Sequence, residues 1–134
     1  MKYIQLFLLF LTMGFASQAT AQTFTLRTSS VSYSEKNQIG KWSKWSDFAK
    51  ADLIITIDGK KNRIVVNSPT IQVFTIKSYG EKTETDKDVI TPFECVDNNG
   101  SKCNIIVITR KNEGNRMQFY INYSEVKFVY NIYN

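Results

Sequence analysis

The stretch DVITPFECVDNNGSKCNIIVITR, residues 88–110, sets the reading of the whole chain. Two runs rich in Val, Ile, Thr and Phe flank a cluster of turn formers, the pattern of two strands joined by a hairpin. Successive side chains of a strand point to opposite faces, so loop length must match the parity of the two buried sets. In the first run the apolar set is odd: Val89, Thr91, Phe93 and Cys95. In the second it is odd again, with Cys103, Ile105 and Val107, although Ile106 and Ile108 make the other face apolar too. Odd against odd requires an odd loop. Asn98-Asn99-Gly100 supplies three residues, with glycine where a left-handed backbone is wanted. This register sets Cys95 directly opposite Cys103.

The same parity argument extends outward. Runs of similar composition recur near 23–33, 52–58, 62–67, 70–79, 116–123 and 126–133, making eight strands with the hairpin. Leu53, Ile55 and Ile57 face Ile64 and Val66 across the even turn DGKKNR, which pairs Ile57 with Ile64. Met117, Phe119, Ile121 and Tyr123 face Val126, Phe128, Tyr130 and Ile132; again an even loop is required, with Ser124-Glu125 at its centre and two or four residues long. The first run changes phase between the even pair Phe24 and Leu26 and the odd pair Val31 and Tyr33, which predicts a bulge or bend near Ser29-Ser30. Evenly spaced short strands without a long helical pattern predict an all-β domain. It is a small antiparallel β-barrel of about eight strands, lipocalin-like in outline, or a β-sandwich.

The chain has no cysteines beyond Cys95 and Cys103. A disulfide between them is predicted, with two buried free thiols as the alternative. Against the bridge stands its register: the pair falls at a hydrogen-bonded site, where Cα atoms lie ~5.5 Å apart.

The N-terminus bears on the compartment. Lys2, the apolar run IQLFLLFLTMGFA and the SQATA segment with Ala19 and Ala21 have the anatomy of a cleaved secretory signal. Cleavage is predicted after Ala21, so residues 1–21 are the signal peptide and 22–134 a single β domain, periplasmic or secreted. The chain carries a formal net charge of +5, one unit of it from Lys2. The basic residues are scattered rather than blocked, which predicts a solvated surface and no nucleic-acid groove. Several strands are shorter than the ~9–11 residues of a membrane-spanning strand, so no stable membrane insertion is expected.

Histidine is absent. That removes Ser-His-Asp and Cys-His catalysis and the common histidine-based metal sites. No glycine-rich phosphate loop is present. Glu84, Asp86 and Asp88 alternate like the first ligands of a calcium loop, but Val89 and Cys95 stand where glycine and a bidentate acid are needed. The reading is a solvated acidic loop, with no metal and no cofactor. Carboxylate chemistry of the glycosidase kind is the remaining catalytic option.

GKWSKWSDFAKA, residues 40–51, is the most distinctive segment. Trp42, Trp45 and Phe48 recur every three residues, which predicts a short helical turn near 42–49 that plugs one end of the barrel. The alternative is a stacking platform for sugars or for a partner protein. Tyr120 and Tyr133 belong to the outward set of the last two strands and join Trp42 and Trp45 as candidate binding residues.

WSKW, ITID, RIVV, QVFTI, CVDNNGSKC, QFYINYS and FVYNIY together resemble a group of small β-rich Bacteroidetes proteins with paired tryptophans and a cysteine–turn–cysteine hairpin. The likeness covers most of the chain after residue 21. It implies a one-domain β protein in a Gram-negative envelope or secreted setting; no activity is known for the group, so no catalytic residue transfers. Gly40-Lys41-Trp42 also looks like the G-x-W entry signature of lipocalins, but here it follows the first strand instead of opening it. The expected function is non-enzymatic binding of a small molecule, a glycan or a protein. The alternatives are an inhibitor of an exported hydrolase and a carboxylate-dependent glycan hydrolase.

Overall fold

A computed structural model describes residues 22–133, so the proposed signal segment lies outside the described residues. Ten strands and one 3-10 turn make up the domain. They are β1 (Thr23–Glu35), β2 (Ala49–Lys50), β3 (Ile54–Asp58), β4 (Arg63–Asn67), β5 (Gln72–Tyr79), β6 (Thr83–Glu84), β7 (Asp88–Asp97), β8 (Lys102–Arg110), β9 (Arg116–Asn122) and β10 (Val126–Ile132). Eight of them form an antiparallel meander, and β1 pairs with β10 to close the barrel. The short strands β2 and β6 sit outside this ring, on β1 and β7.

Each register follows from side-chain parity. Ile57 pairs with Ile64, Phe128 with Ile121, and Cys95 with Cys103. The β7–β8 turn is the three-residue loop expected. Gly100 adopts φ +86° and donates its N–H to Asp97 C=O, while Asp97 N–H bonds Ser101 C=O. The Asp97 carboxylate fixes this turn, accepting from the N–H groups of Asn99 and Ser101 and from the Tyr123 hydroxyl. Burial pushes that carboxyl up, but these donors outweigh it and hold the pKa below the usual value. At the β9–β10 turn Tyr123 N–H donates to Val126 C=O across Ser124-Glu125, with no positive φ at either residue.

Inward rows from all eight ring strands fill the interior. Phe74, Phe119, Ile55, Ile64, Val66 and Ile105 have no solvent exposure, with Leu26 and Val31 of β1 and Tyr130 and Ile132 of β10 packed against the same cluster. Closing the ring removes the exposed sheet edges that an open sheet presents.

The phase change in β1 is a bulge between Thr28 and Ser30, where the pairing with β10 shifts. Thr28 is fully buried there, and its hydroxyl substitutes for missing ladder bonds. Its Oγ1 donates to Ala51 C=O and accepts from Leu53 N–H at 2.9 Å. Thr28→Val keeps the shape and strands both partners. The expected cost is about 1–3 kcal/mol, read by urea unfolding, whereas a loss below 0.5 kcal/mol would mean the bulge satisfies itself.

Two expectations are corrected. The segment around 42–49 is not helical: it runs extended along β1, bridging Lys36 to Trp42 and forming β2. The 3-10 turn of the described residues is instead Lys111–Glu113, in the β8–β9 connection. Nor is the cysteine pair bridged. Cys95 and Cys103 face each other as buried free thiols. The bond between Asp97 and Ser101 makes that pair hydrogen-bonded, and alternation then puts the cysteines, two residues on, at a hydrogen-bonded site as well. Side chains diverge more at such sites, which disfavours bridging.

Candidate functional site: the outer wall under an aromatic strap

Residues 42–51 form a strap along the free edge of β1. Backbone bonds run from Ser43 N–H to Glu35 C=O, Ser46 N–H to Tyr33 C=O, and Ala51 N–H to Ser29 C=O. Ala49 pairs with Val31. The strap therefore advances three residues, 43 to 46 to 49, for each two on β1, 35 to 33 to 31. One extra residue per pair is a repeated bulge, and it is the physical source of the three-residue spacing that imitates a helix face. Serine hydroxyls supply what the bulged ladder lacks. Ser32 Oγ and Ser34 Oγ donate to the carbonyls of Ser46 and Ser43 at 2.6 and 2.7 Å. In return, Ser46 Oγ and Ser43 Oγ accept the N–H groups of Tyr33 and Glu35, both at 3.0 Å.

The small serines of β1 also leave room above the wall. Residues opposite one another in a ladder share a face, so Ser32, Val129, Tyr120, Ile106 and Pro92 form one outward row. Trp45 lies over this row with its ring edge-on to Tyr120, centroids 6.3 Å apart, and keeps 44% of its surface exposed. Val129 points outward yet is buried, as expected beneath such a cover. Trp42 is half-buried, with Lys127 Nζ 4.0 Å from its ring centroid and Lys36 Nζ 5.7 Å away. These cation–π contacts occupy the ring rather than leave it free for a ligand.

Of the four candidate binding residues, the fold brings Trp45 and Tyr120 together and sets Trp42 beside them. Tyr133 is elsewhere. It lies four residues along β10 from Val129, roughly 13 Å, and carries the Arg27 guanidinium 5.3 Å from its ring. Phe48, half exposed at the end of the strap, repeats the positions of Trp42 and Trp45. None of these residues plugs the barrel.

The wall differs on the two sides of the aromatic row. Towards Tyr133 the polar side chains satisfy one another. Arg110 donates to Gln118 and Tyr120, Gln118 and Arg116 donate to Asn131, and Asn131 donates to Ser30. Asp88 and Glu113 face Arg110, and Glu84 pairs with Lys111, so two of the three acids of the calcium-like stretch face cations. No cluster of three potential metal-ligating residues occurs among the described residues.

On the other side runs the row Glu94, Asn104, Asn122 and Lys127, each opposite the next on neighbouring strands. This row borders a groove of about 580 Å³ near the β7–β8 and β9–β10 turns, flanked by Lys77 and Lys102. It holds one carboxylate, Glu94, where a glycosidase pair needs two. A second depression of about 310 Å³ at the barrel mouth ends on Phe74 and Phe128. The polar row was missed from sequence because outward Asn, Glu and Lys are the normal surface of any strand. Only the pairing of β7, β8 and β9 aligns them.

Compared with known proteins, the chain matches no family model, no curated protein and no solved structure.

Proposed function

We propose that this protein is an exported, non-enzymatic glycan-binding module that recognises its ligand on the outside of the barrel, at the strap and the wall beneath it. The observation that supports this reading is the division between inside and outside. The interior is occupied by side chains of every ring strand, while Trp45 stands half exposed against Tyr120, beside Glu94, Asn104 and Asn122, which make no side-chain hydrogen bond with another described residue. A stacking ring next to planar amide and carboxylate groups suits the alternation of apolar face and hydroxyl edge on a sugar. A peptide seeking an extra strand finds the ring itself closed and the free edge of β1 already taken by the strap. The export signal, the Bacteroidetes likeness and a periplasmic or secreted location belong to the same reading. An outer wall that meets water belongs to it too, since the outward row Glu94, Asn104, Asn122 and Lys127 is polar.

The test is glycan-array binding with the full chain and its Trp45→Ala variant. Retention of defined glycans, weakened at least tenfold by the substitution, is expected for a central aromatic anchor. Binding that survives Trp45→Ala, or no retained glycan alongside tight capture of one protein partner, would reject the reading.

A further inference from the structure

Five side chains along the groove, Lys77, Glu94, Lys102, Asn104 and Asn122, make no side-chain hydrogen bond or ion pair with another described residue; the first four are exposed and hydrated, so water, not protein, is what a ligand would displace from them. This contrasts with the Arg110–Gln118–Asn131 side of the same wall, where the bonds form an unbroken network. Asn122 Oδ1 is the sharper anomaly. It is shielded from solvent and has no donor, the one such buried side-chain atom among the described residues. A buried acceptor left unpaired is disfavoured, and such atoms in native structures call for a partner. Asn122 lines the groove and its terminal torsion is broad, so rotation about that bond can bring the oxygen to a ligand there. There it needs an O–H or N–H donor.

The charges narrow the donor's identity. Two lysines, Lys77 and Lys102, and the single carboxylate of Glu94 line the same groove, with Asn104 between Glu94 and Asn122 in the cross-strand row. A simple anion satisfies the lysines but meets Glu94 with like charge and offers Asn122 no donor. A neutral sugar satisfies Asn122 and Glu94 and can accept from the lysines, but brings them no counter-charge. A hydroxylated ring with one anionic substituent satisfies all five.

We infer that this groove is the subsite for an acidic sugar unit, its carboxylate or sulfate held by Lys77 and Lys102 and its hydroxyls by Glu94, Asn104 and Asn122. The inference rests on the glycan-binding reading and specifies its ligand. The aromatic row borders the groove, so a chain with an acidic unit at Asn122 extends naturally over Tyr120 and Trp45.

The test uses the full chain on an array of neutral, uronate-bearing and sulfated glycans, followed by titration of the retained ones at low and high salt. Acidic glycans are expected to bind, with affinity falling as salt rises. Lys77→Ala/Lys102→Ala is expected to remove at least tenfold of that affinity together with its salt dependence. Asn122→Ala is expected to weaken binding at least tenfold while melting no lower than the parent, because it deletes an unpartnered acceptor. A merely structural asparagine would lower the melting temperature instead. Preference between the uronate and sulfate arms assigns the anion. Retention of neutral glycans alone, lost in Trp45→Ala but indifferent to the groove variants, would overturn the subsite and leave the glycan reading standing. No glycan retained in any class would overturn both.

Discussion

Replacing Phe119 by alanine is expected to destabilise the domain by about 3–5 kcal/mol, measured by equilibrium unfolding in urea. The side chain has no solvent exposure and meets the Tyr130 ring edge-on at 6.4 Å between centroids. It projects from β9 between Val107 of β8 and Tyr130 of β10, its cross-strand partners, so truncation opens a void that two neighbouring strands border. A rigid closed wall relaxes poorly into such a void, which puts the cost in the upper part of the range for aromatic truncation. For a domain whose total stability is ordinarily about 5–15 kcal/mol, that is a large share. Ile39→Ala is the control. It also removes a large apolar side chain, but from a residue 86% exposed, and should change stability by less than about 0.5 kcal/mol. Equal effects at the two positions would mean that the inward set has been assigned to the wrong face.

The second large effect is alkaline. Burial pushes the Cys95 thiol from 9.0 up to about 12, with Cys103 adding to it, and pushes Cys103 up to about 11, with Asp97 adding to it. Both folded-state values lie above the unfolded one. The stabilisation is therefore complete below pH 9 and is lost as pH rises through 9 towards 11–12, because the unfolded chain releases protons that the folded one retains. At pH 10 each thiol contributes a loss on the order of 1 kcal/mol, and the pair together a few kcal/mol. Urea midpoints at pH 8 and pH 10 measure it, each variant compared with its own value at pH 8. The Cys95→Ala/Cys103→Ala variant should lose most of this decline. Tyr123 and Tyr130, also raised by burial, start from 10.0, so they add a smaller loss at pH 10 that persists in the cysteine variant and grows at higher pH. A disulfide has no proton to lose, so a flat profile between pH 8 and pH 10 in the parent chain would restore the bridge and reject the free thiols.

How far the sequence could be read depended on the period of each signal. Period-two alternation is a property of single strands, and it carried the Ile57–Ile64, Phe128–Ile121 and Cys95–Cys103 registers because one slip would turn every apolar side chain outward. The bulge in β1 was legible for the same reason, as a change of parity between Leu26 and Val31. Period three was misread. Trp42, Trp45 and Phe48 suit a helix face, and nothing local distinguishes that from an extended strap gaining a residue at every pair. The serines were the available clue. Ser30, Ser32 and Ser34 alternate along the outward face of β1, where a strand bare to water needs no such hydroxyls, and Ser43 and Ser46 match the last two.

The site was half legible. Aromatic residues on a polar segment flagged Trp42 and Trp45, and outward parity flagged Tyr120, so the Trp45–Tyr120 contact joins two residues chosen independently. The same parity flagged Tyr133 equally, because alternation says which face a residue takes and not how far along the wall it lies. Glu94, Asn104 and Asn122 carried no signal of their own.

By itself, then, the sequence determined the eight ring strands, three hairpin registers and most of the inward set, since these follow from alternation and turn chemistry acting over a few residues. The tertiary structure alone decided that the strap lies outside the barrel, that the two thiols stay apart, and that one polar row remains unpaired while its neighbour is satisfied. Those outcomes depend on which side chains from distant strands become neighbours once the ring closes, a relation between rows that no single strand encodes.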